Sequence, residues 1–403
     1  MVRMRGPTAP CARSRQDLPS DGSGLTILEM APLIFTSEFL KSVRPEPLMS
    51  DPLSHQVARR SLYERHRERL ERWAAGYPEY GRDQLVGRLR AKKDEQHEAA
   101  VMELALHRVL STHFGFDKVV PDQVVQGKTP DFRVVAGKTS FIVELQTVTE
   151  DPEERKADRR RRVLADQINA CAPPTVTVVL HFDPATDEGP ADYVSEGAAP
   201  AKIARRLASE LNSISPGTRR PFEEYGARFT WEVVQSPMET LVVCANGTVV
   251  GDPMMERARD ALSKKASKYK EIVGPLPYVV ALAGFGCDGL SRVAAEVLYG
   301  PLAMTWDARD RVAPTRLTRG VNRGYVTGKD SHSHLSAVLT ICGNFNHSHG
   351  GFIYEIGIVH NPLARTPLPV EVFGDTFQLV PTEITPGRYE ERVVGTISEM
   401  VLD

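Results

Sequence analysis

The stretch TPDFRVVAGKTSFIVELQ, residues 129–146, constrains this chain more than any other. Two runs rich in β-branched and aromatic residues flank the turn VAGKTS, which reads as a hairpin connection. Alternate side chains of a strand share a face, so Ile142, Glu144 and Gln146 point one way and Phe141, Val143 and Leu145 the other. The second set is an apolar packing face. The first places a carboxylate and an amide side by side near the strand's end. Asp131 opens the neighbouring strand, and Pro130 holds Thr129 extended. Two carboxylates are therefore expected to meet across the hairpin.

Like charges that close repel unless a cation lies between them. Carboxylate oxygens with room for water suit Mg²⁺ or Mn²⁺, ions that polarise a phosphodiester and activate an attacking water. Asp131 and Glu144 are thus the expected metal ligands. A third acid is expected from the preceding helix, where Ala99, Met102, Leu106, Val109 and Leu110 form the apolar stripe. Glu103 borders that stripe, and Glu98 competes for the same role.

Around this hairpin the chain reads as a helix from Asp94 to His113 stopped by Gly115, three β-rich runs (DKVVPDQVV, DFRVVA, TSFIVELQTV), a charged helix from Pro152 to Ala170, and a buried-strand run TVTVVLHF. That order is an α/β layer arrangement. Residues 1–50 mix Pro, Gly, Ser and charge and are expected to lack regular structure. Residues 51–93 form a helical extension in which SLYERHRERLERWAAGY reads as an exposed amphipathic helix. After Pro184, helices are expected at Ala199–Leu211, Met254–Ile272 and Leu290–Leu298, and strands at FTWEVVQ, TLVVCA, PYVVALAGF, LSAVLTICG and GFIYEIGIV.

The pattern resembles the PD-(D/E)XK nuclease superfamily: an acidic helix, Pro130–Asp131, a twelve-residue gap, then Glu144–Leu145–Gln146. The segments ELALHRVLSTHFGF, TPDFRV, FIVELQ, KASKY–PYVVAL, HLSAVLTI and HNPLARTPL are also similar to a group of uncharacterised bacterial proteins with that core. The resemblance implies a restriction-endonuclease-like α/β core (helix, three strands, helix, strand) at 94–184, with a larger α/β elaboration at 185–403. It implies metal ligation by Asp131 and Glu144 with Glu103 assisting, and phosphodiester hydrolysis in nucleic acid, DNA before RNA. One position departs from it. Gln146 stands where the superfamily carries lysine, and an amide can position a water but supplies no cation. A lysine from elsewhere is a possible substitute, and Lys138, Lys156 and Lys265 are the candidates. The alternative is a catalytically idle member that binds nucleic acid or organises an assembly.

Arg155, Lys156, Arg159 and Arg162 follow the Glu144 strand and are candidate phosphate contacts; Glu153, Glu154 and Asp158 offer them ordinary ion pairs instead. Lys264, Lys265 and Lys268 read first as a solvated face. His332, His334, His347 and His349 form two His-x-His pairs, a weaker zinc alternative. The five cysteines are scattered without a Cys-x-x-Cys pair and read as buried reduced thiols of a cytoplasmic protein. No run of about 18 apolar residues occurs, and the basic start lacks a signal-peptide pattern. A net charge of −2 argues against a global basic field. No phosphate-binding Gly-Lys loop, dinucleotide fingerprint or Gly-x-Ser-x-Gly elbow is present.

Overall fold

The computed structural model describes residues 31–400 apart from 126, 149–151, 172–176, 184–190, 212–214, 235–241, 247–251, 269–275, 288, 301, 306–315, 321–332, 347–350, 386–387 and 397–398. The helices are α1 (Ser37–Ser42), α2 (Leu53–Arg59), α3 (Glu64–Ala75), α4 (Glu79–Leu89), α5 (Asp94–Phe114), α6 (Pro152–Cys171), α7 (Pro200–Leu211), α8 (Asp252–Lys268) and α9 (Leu290–Tyr299). The first strands are β1 (Val119–Pro121), β2 (Phe132–Ala136), β3 (Thr139–Thr147), β4 (Thr177–Phe182), β5 (Tyr193–Val194), β6 (Arg220–Glu224), β7 (Ala227–Val234) and β8 (Val242–Asn246). They continue as β9 (Tyr278–Phe285), β10 (Leu302–Thr305), β11 (Arg316–Gly320), β12 (Leu335–Asn346), β13 (Gly351–His360), β14 (Gln378–Thr385), β15 (Arg388–Val394) and β16 (Glu399–Met400). The chain is a mixed α/β protein.

A large mixed sheet runs in the order β1-β2-β3-β9-β12-β13-β14-β15-β11-β10, with β16 on β13. Strands β3, β9 and β12 are mutually parallel neighbours. Their alternate residues sort into two cores. Phe141, Val143, Val279, Ala281, Leu339 and Ile341 face α3, α4 and α5. Ile142, Tyr278, Val280, Leu282 and Val338 face α8 and α9. A strand covered on both faces must be apolar throughout, and β9 is buried at every position but its last.

The second sheet has the order β5-β7-β4-β8, with β6 on β7. It packs with α6 and α7 around its own core, including Leu164, Ile168, Leu180, Leu207 and Trp231. This corrects the expectation that TVTVVLHF closes the same core as the hairpin. Val178, Leu180 and Phe182 are buried while Val179 and His181 are only partly so, and His181 pairs with Glu232 at 2.9 Å. Such a half-polar strand cannot lie between two helical layers without stranding the imidazole. The strand beside β3 is instead β9, and the preceding helix packed there is α8. Elements α6 to β8 form an insertion between β3 and α8.

Two N-terminal expectations also change. Residues 32–50 carry α1 and bury Ile34, Phe35 and Val43. The Glu71 carboxylate accepts the amides of Leu33, Ile34 and Phe35 at 2.7–3.1 Å, and the Arg90 guanidinium donates to the carbonyls of Leu33 and Ile34. The expected exposed helix at SLYERHRERLERWAAGY is a short 3₁₀ turn followed by α3, which buries His66, Arg69, Leu70, Trp73 and Ala74. By contrast, α5 ends at Gly115 as expected, at a φ of +99° that a side chain would resist.

Candidate active site

The β2–β3 hairpin turns at Gly137, where φ is +58°, and pairs Ala136 with Thr139 through Phe132 with Val143. One step further along this register sets Asp131 opposite Glu144. The β2 ladder stops at Phe132, leaving the next amide that points toward β2, that of Leu145. Asp131 takes its place: Oδ2 accepts from Leu145 N–H at 2.6 Å. The carboxylate thus continues the ladder as a side-chain acceptor, which satisfies a backbone donor and fixes its own direction.

Glu144 shares the Ile142 face of β3, the face covered by α8. It is fully buried. Along α8, Met254, Ala258, Ala261 and Leu262 pack into the core beneath this face, and the same helical spacing brings Lys265 onto the stripe. Its Nζ donates to Glu144 Oε2 at 2.6 Å and lies 3.5 Å from Asp131 Oδ2. The Tyr278 hydroxyl donates to the Lys265 carbonyl at 3.0 Å, tying that turn of α8 to β9. Sequence reasoning placed Lys265 first on a solvated face, and this is corrected. The signal available in the sequence was its position on the apolar stripe, where Lys264 is exposed.

Of the three lysines considered as substitutes for the Gln146 position, Lys265 is the one brought to the carboxylates. Lys138 is exposed in the hairpin turn, and Lys156 pairs with Glu153 at 2.8 Å. The Gln146 amide donates to the Thr147 carbonyl at 3.1 Å.

The electrostatics follow from this crowding. Burial, then the charge of Glu144, push the Asp131 carboxyl up to about 6, against the opposing pull of Lys265 and the Leu145 amide; Glu103 adds to the rise. Burial lowers the Lys265 ammonium, but the charge of Asp131 and the Glu144 hydrogen bond outweigh it, so its pKa stands above the ordinary lysine value.

Glu103 stands near enough for Asp131 to feel its charge, yet it is held on its own helical side. Tyr77 donates to Oε1 at 2.9 Å and Arg88 to Oε2 at 2.6 Å. Among the described residues, no group of three or more His, Cys, Asp or Glu is placed to hold a metal ion. The donors that converge are two carboxylates, Asp131 and Glu144. Carboxylate oxygens are the donor type a hydrated Mg²⁺ takes rather than that of a tetrahedral zinc cage, but Glu144 Oε2 and Asp131 Oδ2 already accept from Lys265 and from the Leu145 amide.

Three of the four expected phosphate contacts are engaged in ion pairs. Arg155 pairs with Glu95, Lys156 with Glu153, and Arg162 with Asp158 at 2.6 Å and Asp94 at 3.3 Å. Arg159 is exposed. His332, His347 and His349 lie outside the described residues; His334 is buried and stacks on Tyr278 with ring centroids 6.2 Å apart. Cys287 and Cys342 are buried free thiols, whereas Cys171 is exposed; Cys11 lies outside the described residues. No described helix is long and apolar enough to cross a membrane.

No protein-family model and no curated protein matches this chain. Its functional reading therefore rests on the site itself.

Proposed function

We propose that the chain is a divalent-metal-dependent phosphodiesterase of the PD-(D/E)XK type, acting on nucleic acid, DNA before RNA. The order α5-β1-β2-β3, then α8-β9 with β9 parallel to β3, is read as the superfamily's helix, three strands, helix, strand, with α6 to β8 inserted. The observation that carries the proposal is the meeting of Asp131, Glu144 and Lys265. It supplies two carboxylates and an ammonium where Gln146 leaves the strand without one.

In this reading Asp131 and Glu144 hold Mg²⁺ or Mn²⁺, which when bound supplies Lewis acidity toward a phosphodiester oxygen and its own water. Lys265 supplies a fixed positive charge that orients a water or opposes charge developing on the phosphate. Asp131, partly open to solvent, is the side from which substrate approaches. Glu103 assists electrostatically, held in place by Tyr77 and Arg88.

A second reading is favoured by the self-satisfied geometry of the buried pair. Glu144 is fully buried with Lys265 as its counter-ion, so the trio also serves a catalytically idle, nucleic-acid-binding protein as a structural pin. Cleavage of plasmid and labelled oligonucleotides with Mg²⁺ or Mn²⁺ separates the two. The hydrolase reading expects metal-dependent cutting that Asp131→Asn and Lys265→Met lower by about 10²–10⁴-fold, with the fold checked by circular dichroism. Equal, background-level cutting by all three proteins leaves the idle reading.

A further inference from the structure

A cleft of about 640 Å³ opens between the first turns of α5 and α6. Its wall contains carboxylates, but these are engaged. Asp94 accepts the Leu53 amide at 2.7 Å and faces Arg162, Glu95 pairs with Arg155, and Asp158 pairs with Arg162. Glu98, farther along α5, also borders the cleft. Lys92, Lys93 and Arg159 line the same space, all exposed, and none forms an ion pair among the described residues. The cleft thus presents three uncompensated cations over a floor of spent carboxylates. Sequence reasoning found only Arg159 of these, because Lys92 and Lys93 sit in the link before α5, far from the hairpin in the chain.

The cleft is lined by the first turns of α5, the helix that carries Glu103. Glu103 stands five residues beyond Glu98 on α5, about 7.5 Å along the helix axis at 1.5 Å per residue. Strand β3 carries Glu144 near its C-terminal end and leads into α6, whose residue Pro152 lines the cleft. On the far side, Arg257 of α8 pairs with Glu154 of α6 at 3.6 Å. Helices α5 and α6 and strand β3 thus link the cleft to the residues of the candidate site.

We infer that Lys92, Lys93 and Arg159 form a phosphate track that holds the backbone of a nucleic-acid strand next to the candidate active site. Cations without carboxylate partners break no ion pair when a phosphate arrives, whereas Arg155 and Arg162 would first have to break theirs; those two serve as walls. The track rests on the nuclease reading for its ligand but binds without chemistry, so it is tested separately from cleavage.

The test measures anisotropy of a fluorescein-labelled single-stranded DNA oligonucleotide with the full chain in EDTA, across a salt series. The cleft variant is Lys92→Glu, Lys93→Glu, Arg159→Glu. A control of equal charge change is Lys138→Glu, Lys202→Glu, Arg205→Glu, at exposed positions outside the cleft. Expected is a loss of at least about tenfold in affinity for the cleft variant and a salt slope lower by about 2, since each single-strand phosphate contact contributes about 0.7. The control should stay close to the unmodified chain. Equal losses in both variants, or no binding by the unmodified chain, overturn the track. Loss confined to the cleft variant supports it even where no metal elicits cleavage, a result that sinks the hydrolase reading alone. Glutamine replacements at the same three positions, read the same way, cover a reversal variant that does not fold.

Discussion

Lys265, on the buried stripe of α8, reaches across to Glu144 of β3 at 2.6 Å, 121 residues away along the chain. The contact joins the helix that completes the main sheet's second layer to the strand at the centre of the candidate site. It neutralises a carboxylate with no exposure to solvent. Removing Lys265 takes the cation from a buried carboxylate, and removing Glu144 leaves Lys265 facing Asp131 at 3.5 Å.

That asymmetry sets the first expectation. Lys265→Ala should destabilise the chain by about 3–5 kcal/mol, the cost of taking one partner from a buried ion pair. Lys264→Ala, one residue away and exposed, should stay within about 0.5 kcal/mol. The double variant Lys265→Ala, Glu144→Gln should recover much of the loss, and urea denaturation of the four proteins gives the coupling directly.

Asp131 makes the stability depend on pH in a defined sense. Its carboxyl is raised from 3.8 to about 6 by burial and by Glu144. A group raised in the folded state favours folding while protonated; this contribution is complete below 3.8 and is lost as pH rises through about 6. The stability of Asp131→Asn relative to the unmodified chain should therefore climb across that window and level off above it. A flat difference between denaturation series at successive pH values would exclude the raised pKa. In the hydrolase reading, Mn²⁺ binding followed by calorimetry should weaken as pH falls through the same window, because ligation requires the ionised form.

Arg88 holds Glu103, the smallest of the influences named for the Asp131 carboxyl. With the guanidinium gone, Glu103 retains the Tyr77 hydrogen bond alone, and the negative potential that Asp131 feels from that side is less offset. Arg88→Met should raise the Asp131 titration midpoint still further, read by carbon-detected NMR of the carboxyl. An unchanged midpoint would mean that Glu103 is electrostatically isolated from the site.

Tyr77 donates to the same carboxylate from a buried ring. Tyr77→Phe should cost about 1.5–3 kcal/mol, the range for a hydrogen bond to a charged group. In the hydrolase reading it should lower cleavage far less than Asp131→Asn, since Tyr77 positions Glu103 and reaches neither converging carboxylate. Thermal denaturation and cleavage rate, measured on one preparation, separate the two effects.

Much of the local structure was readable beforehand because it depends on a few neighbouring residues. The hairpin around Gly137, the stop of α5 at Gly115 and the strand at PYVVALAGF all follow from alternation, turn chemistry and apolar runs. The faces of β3 were likewise readable: Phe141 and Val143 enter one core, while Glu144 lies opposite with Ile142. Glu71 and Arg90 show the limit. Nothing in the Pro- and Ser-rich segment before residue 50 announces that two charged side chains on α3 and just after α4 will hold its backbone.

What the residues alone determined, then, is the run of elements from α5 to β3, the strand β9 and the opposition of Asp131 to Glu144, since these are short-range consequences of side-chain periodicity. Which strand lies beside β3, and which cation reaches its carboxylate, were decided by the assembled fold. The physical reason is burial on two sides. Only a strand apolar on both faces can occupy the position between β3 and β12, so β9 takes it, β4 with His181 goes to a second sheet, and α8 carries Lys265 into a place that no local pattern specifies.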